Sequence, residues 1–359
     1  MLGKRHSLRI DSLALWLLVM LSAPVIDSAA RTRLSHLGSP ATVAKSYRGS
    51  IGGSHIEMNL QTEGDKVSGT YSYDRIRQDI KVAGRINKQG WLELAEYDAR
   101  GKQTGGFICK LPLGDPVDSE CTWSRPNGGG ERFVMLREQH ITFTNGLRVV
   151  PKLITNRQTG VDVSYPQITG DTGPATVAAG SFNRLVSALV AKAIKDFAPG
   201  DDPKRNSFDT NYAVLLGTNN LISVEMYEYS DSGAAHPNDR YWALNYDLSA
   251  NRELEFADLF KEKADYRSAI AEYVVNDINK RAEQLEREEA QREGRKAQPR
   301  AEPLMTIDQL SELASFAITP NGLMIYFDFP HVIAVFNKTF VPYSVVANHL
   351  QLVPPSNAP

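Results

Sequence analysis

Residues 221–260 read LISVEMYEYSDSGAAHPNDRYWALNYDLSANRELEFADLF, and the spacing of apolar residues in this stretch decides what kind of fold the chain can build. Ile222, Val224 and Met226 alternate with Ser223 and Glu225, which predicts a strand with one apolar face. The run 211–216 precedes it across Gly217-Thr218-Asn219-Asn220, so the two runs form a hairpin. Trp242, Leu244, Tyr246 and Leu248 then share one face of a further strand, while Asn245 and Asp247 share the other. A helix is predicted from about Ala264, with Tyr266, Ile270, Tyr273, Val274 and Ile278 along its apolar stripe. Successive strands flanked by helices, rather than alternating with them, indicate α+β.

The same stretch holds the tightest serine, histidine and aspartate cluster of the chain: Ser232, His236, Asp239 and Asp247. A nucleophilic serine needs a sharp strand-to-helix elbow, a base in reach and an oxyanion hole. Ser232 follows Asp231 in a loop between two strands and lacks the G-x-S-x-G frame, so no hydrolase triad is expected. A metal site of His236, Asp239 and His331 is equally poorly founded, and neither metal nor cofactor is expected. His236 reads as the organiser of a small-residue loop, with Pro237 fixing its exit. Loops and strand ends on a rigid sheet commonly carry recognition. The expected binding residues are therefore His236, Asp247, Tyr229, Tyr241 and Trp242, with Tyr227 as a further aromatic neighbour.

Upstream, Phe182, Leu185, Val186, Leu189, Ala193, Ile194 and Phe197 recur at helical spacing, and Ser181 reads as the N-cap. Before Ile141 the pattern is different. From Tyr47 to Gln139 eight short strand-like runs recur every eight to fourteen residues, separated by turn formers such as Glu63-Gly64-Asp65 and Asn87-Lys88-Gln89-Gly90. The expected product is an antiparallel meander that curls into a barrel or half-barrel. Cys109 and Cys121 are the only cysteines. They fall on neighbouring runs, and in an oxidising compartment they are expected to form one disulfide across a hairpin.

Downstream, EQLEREEAQREGRKAQPRAEP is nearly devoid of apolar residues and ends in Gly294, Pro299 and Pro303. It reads as a solvated helical extension fraying into a linker at about 281–303. Thr306 and Gln309 suggest a capping box. Final strands at 316–318 and 323–329 turn through Pro320-Asn321-Gly322, and a last helix is expected over 343–350.

At the N-terminus Lys4, Arg5 and Arg9 precede the apolar run 13–21, and Ser28-Ala29-Ala30 supplies small residues. That is the pattern of a secretory signal cleaved after Ala30. After it no apolar run is expected to span a bilayer. The formal net charge is −2, with acids and bases mixed along the chain, which argues against a nucleic-acid binder. The expected organisation is a signal at 1–30, a linker at 31–45, an all-β domain at 46–140, an α+β module with helices on an antiparallel sheet at 141–352, and a tail at 353–359.

Two resemblances extend this reading. The phrases KVSGTYSYD, IKVAGRIN and WLELAEYDARGKQTGGF resemble a small domain common in exported bacterial proteins. Ser68-Gly69 with Tyr71 and Tyr73 partly matches the signature of bacterial C-type lysozyme inhibitors, but Ser72 stands where that pattern needs a tyrosine, and ordinary strand residues are expected. Over roughly 160–352, Tyr165-Pro166-Gln167-Ile168, the helix with Phe182 and Asn183, the 221–260 stretch and FAITPNGLMIYFDFPHVIAVFNKTFVPYSVVANHL resemble paired domains of lysozyme-sensing anti-sigma factors and of the non-catalytic region of peptidoglycan deacetylases. The usual Gly-Gly-Ala-His loop is here Ser232-Gly233-Ala234-Ala235-His236. A sigma-binding segment, a transmembrane helix and a metal-binding catalytic domain are expected to be missing. The resemblance thus implies a periplasmic or secreted, non-enzymatic binding protein of the cell envelope, with a lysozyme-like hydrolase or peptidoglycan as partner. The alternative is an envelope enzyme acting on cell-wall carbohydrate.

Overall fold

Strands β1 (Val43–Ile51), β2 (Ser54–Glu63), β3 (Lys66–Tyr73), β4 (Ile80–Ile86), β5 (Trp91–Tyr97), β6 (Gln103–Lys110), β7 (Asp118–Ser124) and β8 (Arg132–Gln139) each pair with the next in the computed structural model. β1 also pairs antiparallel with β8, Ser46 opposite Gln139 and Gly49 opposite Leu136, so the meander closes into a barrel without a free edge. The structure describes residues 42–351 except 111–117, 171–173, 203–204, 235, 299, 301, 308–314 and 330. The expected signal peptide, most of the linker after it, Gln309 and the tail lie outside the described residues.

Period-two alternation fills the barrel. Ile56, Met58, Leu60, Val67, Tyr71, Val82, Leu92, Leu94, Phe107, Val134 and Leu136 are all buried in one cluster. Two in-strand glycines permit the tight curl. A Cβ on Gly69 would lie 1.9 Å from the Asn59 carbonyl oxygen, and one on Gly84 would lie 1.8 Å from that of Glu93. Tyr71 points inward and donates to Glu96 (2.7 Å), which also accepts from Thr104 Oγ1 (2.6 Å) and Trp123 Nε1 (2.8 Å). The Ser68-Gly69-x-Tyr71 stretch therefore builds the barrel. Cys109 and Cys121 stand opposite each other in the β6–β7 ladder and are disulfide-bonded.

The chain continues through β9 (Arg148–Asn156), β10 (Val161–Thr169), α1 (Pro174–Asp196), β11 (Asn206–Gly217), β12 (Leu221–Ser232), β13 (Asn238–Asp247) and β14 (Arg252–Glu253). These strands form one sheet in the order β14-β13-β12-β11-β10-β9. The sheet is mixed rather than antiparallel throughout, because α1 is a crossover that brings β11 parallel to β10, Val161 opposite Phe208 and Val163 opposite Thr210. α1 begins at Pro174, not after Ser181. Proline suits a first helical turn and the alanines behind it favour helix, so the helix starts a full two turns upstream. Residues Thr176–Asp196 are long and apolar enough in composition to cross a membrane, contrary to the expectation that no such run follows Ala30. Phe182, Val186 and Val190 are nevertheless buried against the sheet, as in a core helix. Asn183 of α1 accepts from the Ile168 amide (2.7 Å) and donates to the Ile168 carbonyl (2.8 Å), which gives the Tyr-Pro-Gln-Ile phrase a structural role.

Beyond a 3-10 turn at Phe256–Leu259 come α2 (Tyr266–Arg292), β15 (Ser315–Ile318), β16 (Gly322–Tyr326), β17 (Lys338–Pro342) and α3 (Tyr343–Val346), the last shorter than expected. β15, β16 and β17 form a small sheet that packs between α2 and the large sheet: Leu323, Ile325 and Ile318 face Ile270, Val274 and Ile278 of α2, while Ala317, Met324 and Tyr326 face Ala213 and Leu215 of β11. All five residues of β16 are buried because both faces are covered. For the same reason Ser223 and Glu225 of β12, expected on a solvent face, are buried too. Asn245 crosses this interface, accepting from Ser223 Oγ (2.7 Å) and donating to the Phe316 carbonyl (2.7 Å). The 281–303 stretch begins as the expected helical extension. It stays helical to Arg292, turns at Gly294 with φ +68°, and runs back along α2, where Arg295 pairs with Glu286 and Asn279 exchanges two bonds with the Met305 backbone.

Candidate functional site

The barrel docks on the face of the large sheet opposite α1, and the junction is polar. β8 runs on into β11: the His140 amide donates to the Val214 carbonyl, Gln139 Oε1 accepts from the Val214 amide, and Gly217 bridges to Ile141. These bonds fall where a bulge between Val214 and Leu216 interrupts the β11–β12 register. The connection is thus hydrogen-bonded rather than a loose linker.

Two arginines from the barrel anchor the junction. Outward-facing Arg48 of β1 is 1 % exposed and makes two bonds to Asp74 (3.2 and 2.5 Å). The β10–β11 ladder stops at Val163, and Arg48 reaches both strands beyond that point, donating to Ser164 Oγ (3.4 Å) and Asn211 Oδ1 (3.3 Å) with its guanidinium 4.0 Å from the centre of the Tyr212 ring. Burial pushes the Asp74 carboxyl up, but Arg48 and the Ser164 hydroxyl outweigh it and hold the group below its ordinary range. Arg137 of β8 binds Asp118 through two bonds (2.8 and 3.3 Å) and pairs with Glu225 of β12. Glu225 is 1 % exposed and accepts from Tyr326 (2.6 Å), while Lys338 of β17 pairs with Asp118. Two acids and two bases from the barrel and both sheets therefore balance in one cluster, in which Glu225 is buried and Asp118, Arg137 and Lys338 are half-buried. Burial favours the neutral form of Asp118, yet Arg137 and Lys338 hold it well below the carboxylate range. A third contact joins His55 of β2 (5 % exposed), whose Nε2 lies 3.2 Å from Asp209 Oδ2 of β11.

Between these anchors the barrel and the sheet leave a cleft of about 250 Å³, lined among others by Phe133, Met135, Asp209, Asn211, Tyr227 and Tyr241. Tyr227 and Tyr241 are directly opposite in the β12–β13 ladder, with ring centroids 5.1 Å apart. Tyr241 is held by Arg137 (5.2 Å to its centroid), Lys338 (4.8 Å) and the stacked Tyr326 ring (6.1 Å). Phe133 closes the barrel side and is 65 % exposed, a large apolar side chain left open to solvent. Burial first, then Tyr241 and nearby carboxylates, push the Tyr227 phenol up, so it stays protonated and able to donate at any physiological pH.

The five expected binding residues are not brought together. Tyr241 lines the cleft, and Tyr227 joins it. Tyr229, half-buried, pairs across from Asp239 toward the end of β12. Trp242 faces the other way and packs on the α1-side core. His236 is exposed in the loop between β12 and β13, at the opposite end of β13 from Asp247. Asp247 caps the following turn, accepting from the Ser249 amide and hydroxyl and the Ala250 amide (2.8, 2.6 and 2.7 Å). Asp258 closes a capping box with Glu255 and takes two bonds from Arg252. Among the described residues no three His, Cys, Asp or Glu side chains are grouped to hold a metal ion. Sequence reasoning did not find Arg48, Asp209, Phe133 and Arg137. The tyrosine pair did have a signal, since Tyr227 and Tyr241 fall on the same-phase positions of adjacent strands.

The C-terminal part matches a domain family of unknown function, DUF3298. The match spans residues 257–336, from the 3-10 turn through α2, β15 and β16, and stops short of β17. The peptidoglycan-N-acetylmuramic acid deacetylase PdaC of Bacillus subtilis is 25 % identical over 137 residues, or 38 % of this chain, and the aligned part covers only 27 % of that enzyme. Crystal structures of DUF3298 proteins from Bacteroides fragilis and Pseudomonas aeruginosa align over 58 % and 57 % of this chain, and over 95 % and 94 % of their own. Their identities are 15 % and 13 % and their TM-scores 0.33 and 0.35.

Proposed function

We propose that this protein is an exported, non-catalytic binding protein of the bacterial cell envelope, whose ligand is peptidoglycan or a lysozyme-like enzyme that cuts it. One observation carries the reading. The polar residues of the 221–260 stretch hold the fold together, Asn245 across two sheets and Asp247 and Asp258 in turns, while aromatic side chains open onto a cleft beside a hydrogen-bonded junction. An open aromatic surface on a rigid frame suits recognition, because little ordering entropy is lost on binding. Similarity to an enzyme named for peptidoglycan deacetylation supports an extracytoplasmic setting.

The test is co-sedimentation of the purified exported chain with insoluble peptidoglycan, beside a pull-down and a lysis-inhibition assay with chicken-type lysozyme. Retention on peptidoglycan, or capture and inhibition of lysozyme, is the expected result. Failure of both sinks the reading, and release of soluble fragments by the protein alone would overturn its non-catalytic half.

A further inference from the structure

We propose that the cleft between barrel and sheet takes a single uncharged pyranose ring of a glycan, seated between Phe133 and Tyr227 with its hydroxyls bound by Asp209. This rests on the envelope-binding reading and gives it a site and a ligand chemistry.

The charge of the cleft selects the class of ligand. Its two cations, Arg48 and Arg137, are already matched by Asp74 and by Asp118 with Glu225. A phosphate or an acidic peptide would have to break those pairs and approach Asp209, the remaining charged group of the lining, whose Oδ2 lies 3.2 Å from His55 Nε2 behind it and whose side chain is 24 % exposed. No cation is left over to receive an anion, so a neutral ligand is favoured. The lining is also amphipathic: Phe133, Met135 and Tyr227 offer apolar surface, while Asp209 and the Tyr227 phenol offer an acceptor and a donor. A sugar ring has the same two-sided character, with a C–H face and a rim of hydroxyls. Size agrees, because about 250 Å³ falls just below the roughly 300 Å³ at which pockets for drug-sized molecules begin. One ring fits and a longer glycan would continue into solvent. The platform is fixed before binding, since Tyr227 rests on Tyr241, which Arg137, Lys338 and Tyr326 hold.

The experiment is isothermal titration of the full exported chain with the N-acetylglucosamine tetramer. Phe133→Ala and Asp209→Asn are titrated alongside, and thermal unfolding checks that each variant is folded. Phe133 is exposed, so its truncation should leave the fold intact while weakening binding about fivefold to tenfold, the worth of one aromatic contact. Asp209→Asn should weaken binding by a similar factor. No binding of the tetramer, or equal binding by wild type and both variants, overturns the assignment. If the wild type still sediments with peptidoglycan in that case, only the cleft proposal falls. If it does not, and lysozyme is not captured either, the envelope-binding reading falls with it.

Discussion

Replacing Arg137 by methionine tests whether the balanced charges at the junction hold barrel and sheets together. Arg137 serves two carboxylates with different alternatives. Asp118 keeps its direct pair with Lys338 when the guanidinium is removed, but Glu225, 1 % exposed, loses its direct ion pair and is left with the Tyr326 hydroxyl at 2.6 Å and the weaker field of Lys338. Removing one partner of a buried pair typically costs about 3–5 kcal/mol, because a charge is left without compensation. With one of its two acids still paired, Arg137→Met belongs at the lower end, about 3 kcal/mol. The cost comes mainly from stranded Glu225, so adding Glu225→Gln should recover part of it, leaving a coupling of roughly 1–2 kcal/mol in the double-mutant cycle. Equilibrium urea unfolding followed by circular dichroism measures all four proteins, and the slope of each transition shows whether the comparison stays two-state. A loss below about 1 kcal/mol for Arg137→Met, or strict additivity in the double variant, would show that the junction does not depend on the Arg137–Glu225 pair.

Three further outcomes follow from named contacts. Asp118 and Asp74 are held below their ordinary range, while in the unfolded chain an aspartate titrates near pH 3.9. Their stabilisation is therefore complete above about pH 5 and lost as pH falls through the depressed folded values. The melting temperature should stay flat from pH 7 to about 5 and drop below about 4, with a shallower drop in Asp118→Asn. Replacing Cys109 and Cys121 by serine opens a loop closed at a sequence separation of 12; by chain entropy it should cost about 3 kcal/mol, read as a lower urea midpoint. Asn183→Ala leaves the amide and carbonyl of buried Ile168 without their partner and should cost about 1–3 kcal/mol, with hydrogen exchange speeding up first at the end of β10.

Much of the fold was legible because burial on one side writes a period into the residues. The eight runs before Gln139 alternate with period two, and all eight are strands of the barrel. The hairpin at 217–220 and the stripe of α2 were legible for the same reason. Reading failed where a second layer covers a face that looks solvated. Ser223 and Glu225 pattern as exposed yet lie under the small sheet, and the charged stretch after Ala282 looks free yet pairs with the chain returning from Gly294. At the site, Tyr241 and Tyr227 could be named because they stand in phase on neighbouring strands. His236 and Asp247, adjacent to the same motif, are kept apart by the length of β13.

Local elements, the cysteine pair and the α+β class could be read from the residues alone, since they depend on periodicity, turn chemistry and neighbours close along the chain. The shared set of charges at the meeting of barrel and sheets, and the cleft lined by Phe133 together with the tyrosines of β12 and β13, exist only in the assembled fold. Arg48 and Ser164, or Asp118 and Lys338, are 116 and 220 residues apart. No local pattern records such a pairing. The reason is that an ion pair across an interface is selected by the desolvation cost of the surfaces that meet there, and that cost exists only once the two surfaces are in contact.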